Sequence, residues 1–285
     1  MGEKNQLKDK PYRMAGGAVL LFASVLAFSI LMASCGKEGP GESASGNEEK
    51  GKVRPLIAKG LKLLDEKNYE QATIAIHEIL DKDPNDTEAM SVLAMIFVNQ
   101  FRLKDAKEWA EKALEIDATL AVPYAVLGKA KFLTSYFDDA MELSRKALII
   151  DPNNSLAYEV IGQIYLRRGR VDDGLSVLKE AVRLHPDNPE LLNILSSAYI
   201  KAKDYDRALA VLLKAQKLDK DIAGVHFNLA RVYTETNAAS KAFQHINRAE
   251  NLYGEQENRL WLSKARELKR HIAKKFKMRP QDLVP

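Results

Sequence analysis

The stretch Ser155–Asn188 reads SLAYEVIGQIYLRRGRVDDGLSVLKEAVRLHPDN and contains two short amphipathic segments joined by a turn. Its first apolar stripe has the spacing i, i+3, i+4 and i+7 of one helix face, in Tyr158, Ile161, Gly162 and Tyr165. The polar run 168–170 breaks this pattern, and a second stripe follows in Leu175, Leu178, Ala181 and Val182. Pro186 ends the second stripe, because proline disfavours the helical conformation in the residue before it. The stretch therefore predicts a helical hairpin whose apolar face must stack on neighbours.

The same pattern recurs when the frame is shifted by 34 residues. The slot where the two helices cross is occupied by a small residue in every frame: Gly60, Ala94, Gly128, Gly162, Ser196 and Ala230. The first small slot of the second helix holds Ala72, Ala106, Ala140, Gly174, Ala208 and Ala242. The stop after the second helix is a proline at Pro84, Pro152 and Pro186, and is degenerate at Ala118, Lys220 and Gly254. Small residues at fixed slots allow close packing of two helices, so the pattern predicts a stack of similar hairpins.

This pattern resembles the tetratricopeptide repeat (TPR), which has a 34-residue period and these large, small and proline positions. The resemblance implies an all-α fold: a TPR solenoid with a right-handed superhelix of six helix-turn-helix repeats plus a C-terminal capping helix. The six frames cover residues 53–256 without insertion or deletion, as 53–86, 87–120, 121–154, 155–188, 189–222 and 223–256. Residues 257–285 form the predicted basic capping helix and tail.

The N-terminus has the parts of a secretory signal. Four basic residues precede residue 14, and Met14–Ser34 is an uncharged, mostly apolar run. The run ends LMAS before Cys35, the single cysteine of the chain, and this resembles a bacterial lipobox. The resemblance implies a signal peptide over residues 1–34, cleavage before Cys35, and acylation of that cysteine with palmitate-type chains.

A second reading of the same run stays open. It contains 21 uncharged residues, which is long enough to span a bilayer as an uncleaved anchor. In both readings the basic residues stay in the cytoplasm and the repeats are exported to the periplasm. Residue 36 is Gly rather than Asp, which by analogy with the sorting of bacterial lipoproteins favours the outer membrane.

Residues 36–52, GKEGPGESASGNEEKGK, carry one apolar side chain, Ala44, and predict a flexible tether after the lipidated cysteine. The whole chain has 43 Lys and Arg against 39 Asp and Glu, a formal charge of +4. Because this balance is close to neutral, it does not indicate a nucleic-acid-binding protein. Residues 255–285 are locally basic, which predicts a solvated cap or a patch that meets membrane phosphate or an acidic partner.

In the TPR fold, the first helix of each hairpin lines the concave face, so the resemblance assigns a partner-binding groove to particular slots. At the N-terminal end these slots hold mostly apolar residues: Ile57, Leu61, Met95, Val98, Lys129 and Phe132. At the C-terminal end they are polar and mixed in charge: Glu159, Gln163, Arg167, Asn193, Ser197, Lys201, Phe227 and Arg231. The alternative for the apolar members is that they pack on the adjacent repeat. A graded groove predicts a protein partner with one apolar and one polar end.

A search for reactive residues finds no catalytic, cofactor or metal motif. The five histidines, His77, His185, His226, His245 and His271, lie in separate segments without the spacing of a motif such as HExxH. His226 replaces a large core residue and is interpreted as a hydrogen-bonded core or end-cap histidine. The sequence contains no GxSxG, phosphate-binding glycine loop or CxxC. We therefore predict a non-enzymatic protein without cofactors.

These features together predict a membrane-anchored scaffold of the bacterial envelope that binds protein partners in its groove. Six repeats after a lipid anchor resemble the pilotin-type lipoproteins of type IV pilus systems, which implies a role in assembling an outer-membrane or secretion machine. They also resemble TPR lipoproteins that recruit peptidoglycan hydrolases and proteases. A more distant alternative is an accessory subunit of an envelope enzyme. Repeat number and lipidation carry these analogies, since no motif identifies a partner.

Overall fold

The computed structural model describes residues 45–278, which form thirteen α-helices and, within that range, no strand. The first helices of the six hairpins are α1 (Ser45–Asp65), α3 (Thr87–Asn99), α5 (Ala121–Leu133), α7 (Ser155–Arg167), α9 (Pro189–Lys201) and α11 (Ala223–Glu235). The second helices are α2 (Tyr69–Leu80), α4 (Leu103–Ile116), α6 (Phe137–Ile150), α8 (Val171–Leu184), α10 (Tyr205–Leu218) and α12 (Ala239–Glu255). The thirteenth helix, α13 (Arg259–Lys275), packs on α12 as the predicted cap.

The helices form two layers. Each first helix contacts its own second helix and also the first helix of the next repeat, from α1 with α3 to α11 with α13. Each second helix packs against the first helix that follows it. The first helices are therefore the closer-spaced row, and their free side faces the concave surface where the groove was predicted.

Small residues at the helix crossings let the hairpins close. The alanines of the first small slot of the second helix, from Ala72 to Ala242, are 0% exposed. A Cβ atom added at Gly162 would lie 2.5 Å from Cδ2 of Leu178, and one added at Gly60 would lie 2.5 Å from Cδ1 of Ile76. At these two positions a larger side chain would overlap the residue across the crossing unless that residue or its helix moved, which is the physical reason for the small slot.

The turn inside each hairpin is the same capped structure six times. After α1 the Asn68 N–H donates to the Leu63 carbonyl at 2.8 Å, and the Lys67 N–H donates to the Leu64 carbonyl at 3.0 Å. This is the Schellman arrangement, in which one residue has a left-handed backbone. The left-handed residues lie 34 positions apart: Lys67, Phe101, Ser135, Gly169, Lys203 and Asn237.

The first helix corrects the predicted tether. Helix α1 begins at Ser45, so residues 45–52 are helical although the sequence predicted a flexible segment to residue 52. Half of these eight positions are Glu or Lys, which are good helix formers, and extending an existing helix needs no new nucleus. The predicted signal peptide, Cys35 and the tether residues before 45 lie outside the described residues, as do residues 279–285. Among helices α1 to α13, none is both long enough and apolar enough to cross a membrane.

Candidate protein-binding groove

The structure corrects the apolar N-terminal end of the predicted groove. Ile57, Val98 and Phe132 are 4%, 1% and 7% exposed, and they belong to the hydrophobic clusters between neighbouring helices. These side chains pack on the adjacent repeat because first helices contact one another there, so they offer little surface to a partner. Leu61 is 37% exposed and Met95 is half-buried, so these two remain accessible.

The middle of the concave face is held by a polar contact between successive first helices. Lys129 on α5 forms an ion pair with Glu159 on α7, and both side chains are mostly buried. The Gln163 side chain also donates a hydrogen bond to Glu159, at 2.9 Å. Arg167, one turn further along α7, is exposed, and its guanidinium lies 5.8 Å from the centre of the Phe132 ring.

The C-terminal end contains a hydrogen-bonded network that joins α9 to α11. The Asn228 side-chain amide donates to Oδ1 of Asn193 at 2.8 Å and to Oγ of Ser197 at 2.9 Å. Its carbonyl oxygen accepts a hydrogen bond from Nη1 of Arg231 at 3.2 Å. Asn228 is only 5% exposed, so its polar atoms need these partners. The sequence assigned Asn193, Ser197 and Arg231 to the groove separately, and the structure brings them together through Asn228.

Arg231 is the most unusual charge of this network. Its side chain is half-buried, and within residues 45–278 no carboxylate lies at ion-pair distance from it. Burial lowers the pKa of its guanidinium, and the nearby Glu235 opposes that effect. A cavity of about 280 Å³ adjoins it, lined also by Lys201, Tyr205 and His271. Phe227, which the sequence also assigned to the groove, is half-buried and packs against Trp261 in a T-shaped arrangement, with ring centroids 5.5 Å apart.

One contact between distant repeats was not predicted. Nζ of Lys67, in the turn of the first repeat, lies 3.2 Å from Oδ2 of Asp219, at the end of α10 in the fifth repeat. Glu190 lies near both, and desolvation by the surrounding protein raises its pKa although Lys67 counteracts this. No local pattern could have predicted the pair, because 152 residues separate its members.

Two histidines that the sequence placed in different segments also meet. Nδ1 of His226, on α11, lies 2.9 Å from Nδ1 of His245, on α12. His226 is 6% exposed, and its Nε2 donates to the Lys220 carbonyl, in agreement with the interpretation of a hydrogen-bonded core histidine. Within residues 45–278, no group of three or more His, Cys, Asp or Glu side chains is arranged to hold a metal ion.

Comparisons with known families agree with this architecture. Two models of the tetratricopeptide repeat match the sequence, one over residues 159–222 and 195–256 and the other over residues 87–116. A comparison with curated proteins found no match. The fold is thus all-α and solenoid-like with TPR repeats, and the predicted fold class is confirmed.

Several solved structures share the fold at low sequence identity. PilF of Pseudomonas aeruginosa is 19% identical, with 77% of this chain and 99% of that chain aligned at a TM-score of 0.54. PilW, described as a widely conserved type IV pilus biogenesis factor, is 19% identical over 74% and 97% of the two chains at a TM-score of 0.53. A TPR protein of Thermus thermophilus is 21% identical over 63% and 98%, also at 0.53. At these identities the similarity establishes the fold alone.

Proposed function

We propose that this protein is a membrane-anchored scaffold of the bacterial envelope that holds a segment of a protein partner in the C-terminal half of its concave groove. The TPR fold is a protein-interaction fold, which supports the general role. The observation that carries the location is the network of Asn193, Asn228 and Arg231. It fixes polar side chains of two neighbouring first helices in one place and, among residues 45–278, leaves the Arg231 guanidinium without a carboxylate at ion-pair distance.

The burial pattern supports binding at this end of the groove. Ile57, Val98 and Phe132 are already used in packing, so the graded apolar groove is reduced to Leu61 and Met95 at its N-terminal end. The polar end keeps accessible side chains in Gln163, Arg167, Lys201 and Arg231. A partner segment that carries acceptors, above all a carboxylate, would be complementary to this surface.

The proposed attachment depends on the sequence before the described residues. The apolar run 14–34 followed by Cys35 supports a lipid anchor on the periplasmic side, with Gly36 favouring the outer membrane. The names of two structural neighbours, one of them a type IV pilus biogenesis factor, support assembly of an outer-membrane or pilus machine as the process. Labelled palmitate should enter the wild-type protein and not a Cys35→Ala variant. Equal labelling of both would exclude the lipid anchor.

Site-specific crosslinking in intact cells tests the groove. A photo-crosslinking amino acid placed at Gln163 or Lys201 should capture a partner, whereas one at Lys107, on the outer helix α4, should not. Mass spectrometry of the captured protein separates a secretin of a pilus system from a peptidoglycan hydrolase or protease. Equal capture at all three positions would show that the concave face has no special role.

A substitution provides the matching affinity test. Arg231→Gln should weaken binding of the captured partner about ten- to a hundredfold, since a hydrogen bond to a charged group contributes about 1.5–3 kcal/mol. Met95→Ala should weaken it less, because Met95 lies on α3, outside the C-terminal half of the groove where the partner segment is proposed to bind. Unchanged affinity in both folded variants would exclude this groove as the binding site.

A further inference from the structure

The capping helix α13 differs from the repeats in the charge of its exposed side. Between Arg259 and Lys275 it carries seven Lys or Arg and a single carboxylate, Glu267. On the outer helices of the repeats, exposed cations are matched by a carboxylate one turn away, as Lys107 is by Glu111 on α4. Within the described residues, no ion pair joins two side chains of α13. The cations of this helix therefore add to one another instead of being neutralised locally.

Most of these cations lie along one side of the helix, which we call the basic stripe. The spacing i, i+4, i+7, i+11 and i+15 aligns five exposed residues: Arg259, Ser263, Arg266, Arg270 and Lys274. The buried residues Ala265 and Ile272 lie on the opposite side of the helix and pack into the solenoid. At a rise of 1.5 Å per residue, the stripe is about 22 Å long. The capping helix thus presents a straight row of positive charge to solvent.

Capping the solenoid does not explain why the stripe has one sign. Nε of Arg266 lies 3.0 Å from Oε1 of Glu250, but within residues 45–278 no carboxylate is at ion-pair distance from Arg259, Arg270 or Lys274. Like charges four residues apart destabilise a helix, and a cation in the first turn opposes the helix dipole. A cap requires only polar residues of either sign on its outer face. The basic stripe therefore has a cost that a partner of opposite charge would offset.

We propose that the basic stripe docks the C-terminal end of the solenoid on a bilayer that contains anionic phospholipids. The headgroups of such a bilayer form a planar and mobile array of phosphates, which a straight row of Lys and Arg can contact without a fixed geometry. Leu260, beside the stripe, is 64% exposed and can enter the headgroup region. A protein interface is instead usually built around buried aromatic or aliphatic anchors. The five residues of the stripe include none, which favours the lipid surface over an acidic protein.

Docking would connect the membrane with the groove. Helix α13 packs on α11 and α12, so the C-terminal half of the groove would lie close to the bilayer surface. The proposed anchor at Cys35 would keep α13 near the same bilayer and raise its local concentration there. This proximity rests on the proposed function, whereas the charge of α13 does not. Salt distinguishes the two attachments, because it screens the charges of the stripe and does not weaken an apolar anchor.

Fluorescence quenching in reconstituted vesicles tests the docking. The full-length protein is inserted into vesicles of phosphatidylcholine, with or without phosphatidylglycerol, that contain lipids with a quencher on the headgroup. A fluorescent amino acid at Ser263 should be quenched more strongly when phosphatidylglycerol is present, and high salt should remove the difference. The same probe at Lys107, on α4, should give equal quenching in both kinds of vesicle. Equal quenching at Ser263 in the two lipid mixtures would overturn the inference.

A pair of charge variants tests whether the stripe is responsible. The test variant neutralises its three cations without a carboxylate partner among residues 45–278: Arg259→Gln, Arg270→Gln and Lys274→Gln. The matched control removes the same charge from exposed positions of α4: Lys104→Gln, Lys107→Gln and Lys112→Gln. Since each Lys or Arg near an anionic surface contributes about 1 kcal/mol, the docking equilibrium of the test variant should fall about a hundredfold. Circular dichroism checks that both variants are folded, and an equal loss in the control would overturn the inference.

Two further measurements separate this inference from the anchor and from an acidic protein partner. Flotation with phosphatidylcholine vesicles reports the anchor. If it fails, salt-sensitive flotation with phosphatidylglycerol vesicles alone would still support the stripe and count against the proposed anchor. In intact cells, a photo-crosslinking amino acid at Ser263 should capture phospholipid. Capture of an acidic protein instead of phospholipid would overturn the inference.

Discussion

Two substitutions, Phe101→Gly and Gly169→Ala, should change the free energy of unfolding in opposite directions. Both residues occupy the left-handed position of a hairpin turn, with φ of 59° for Phe101 and 74° for Gly169. The two positions are equivalent because they are separated by two 34-residue repeats. A side chain is strained at this φ, whereas glycine is not, so the two substitutions respectively remove and introduce the same strain.

The magnitude follows from the backbone and the exposure. The left-handed conformation costs a non-glycine residue about 1–2 kcal/mol. Glycine loses more backbone entropy on folding, which offsets about 0.5–1 kcal/mol of that benefit. The free energy of unfolding should therefore rise by about 0.5–1 kcal/mol in Phe101→Gly. The Phe101 side chain is 65% exposed, so removing it takes away little buried apolar area. A Cβ added at Gly169 has no atom within 4 Å, so Gly169→Ala causes no steric overlap. Its free energy of unfolding should fall by about as much as that of Phe101→Gly rises, because of the backbone conformation alone.

Thermal unfolding followed by circular dichroism measures both changes. For a chain of this length, 1 kcal/mol shifts Tm by about 2–4 °C, upward for Phe101→Gly and downward for Gly169→Ala. Asn237→Gly is the matched control, because asparagine tolerates the left-handed conformation and Asn237 has a φ of 60° in the equivalent turn. The reasoning would be refuted if Phe101→Gly lowered Tm, or if Asn237→Gly raised Tm as much as Phe101→Gly does.

Two further substitutions test the packing of the helices. Gly162→Ala should lower Tm, because the overlap of the new Cβ with Leu178 costs about 1–3 kcal/mol and outweighs a gain in helix propensity of about 1 kcal/mol. Glu250→Gln should speed hydrogen exchange in α13, since the carboxylate accepts hydrogen bonds from Arg266 at 3.0 Å and Lys269 at 2.9 Å. Burial raises the pKa of Glu250, but these two partners prevail and lower it, so the stabilisation is present above the ordinary pKa of about 4.5 and is lost as the pH falls through the lower folded value.

Each of these two predictions has its own control. Gly254→Ala places a methyl group in α12 where no atom lies within 4 Å, so it should not lower Tm as Gly162→Ala does. If both variants lowered Tm equally, overlap with Leu178 could not be the cause of the loss in Gly162→Ala. For the cap, exchange in α3 should not change in Glu250→Gln, and the difference between wild type and variant should shrink as the pH falls through the lowered pKa of Glu250. A difference that persists in acid would mean that the carboxylate charge is not the cause.

The repeat pattern predicted the hairpins well because it reports on packing. The small slot at Gly162 and the alanines of the second helices are buried in the structure, and the first helices from α3 onward begin 34 residues apart. The crossing of two helices admits only small residues, so these positions can be recognised in the sequence. The left-handed turns were visible only at Gly169, because Lys, Phe, Ser and Asn occupy the equivalent positions and tolerate strain that the surrounding fold imposes.

The groove was harder to predict, because the same slot can face a neighbouring helix or the solvent. Val98 and Phe132 were assigned to the concave face, yet contacts between first helices bury them. Periodicity gives the angular position of a residue on its helix, but the distance to the next first helix decides its exposure. The meeting of His226 with His245 was missed for a related reason, since their separation of 19 residues corresponds to no metal-binding motif.

The cost of burying polar groups explains how the Asn228 network at the C-terminal end is arranged. Where first helices approach closely, an apolar residue such as Val98 is buried without penalty, but an amide is stable only if all its polar atoms find partners. Asn228 meets that requirement through Asn193, Ser197 and Arg231. Asn228 therefore positions the guanidinium, and in the proposed binding mode it does not itself contact the partner. Arg231 is the member of the network whose charge is left for a ligand, and this is why we assign partner binding to that half of the groove.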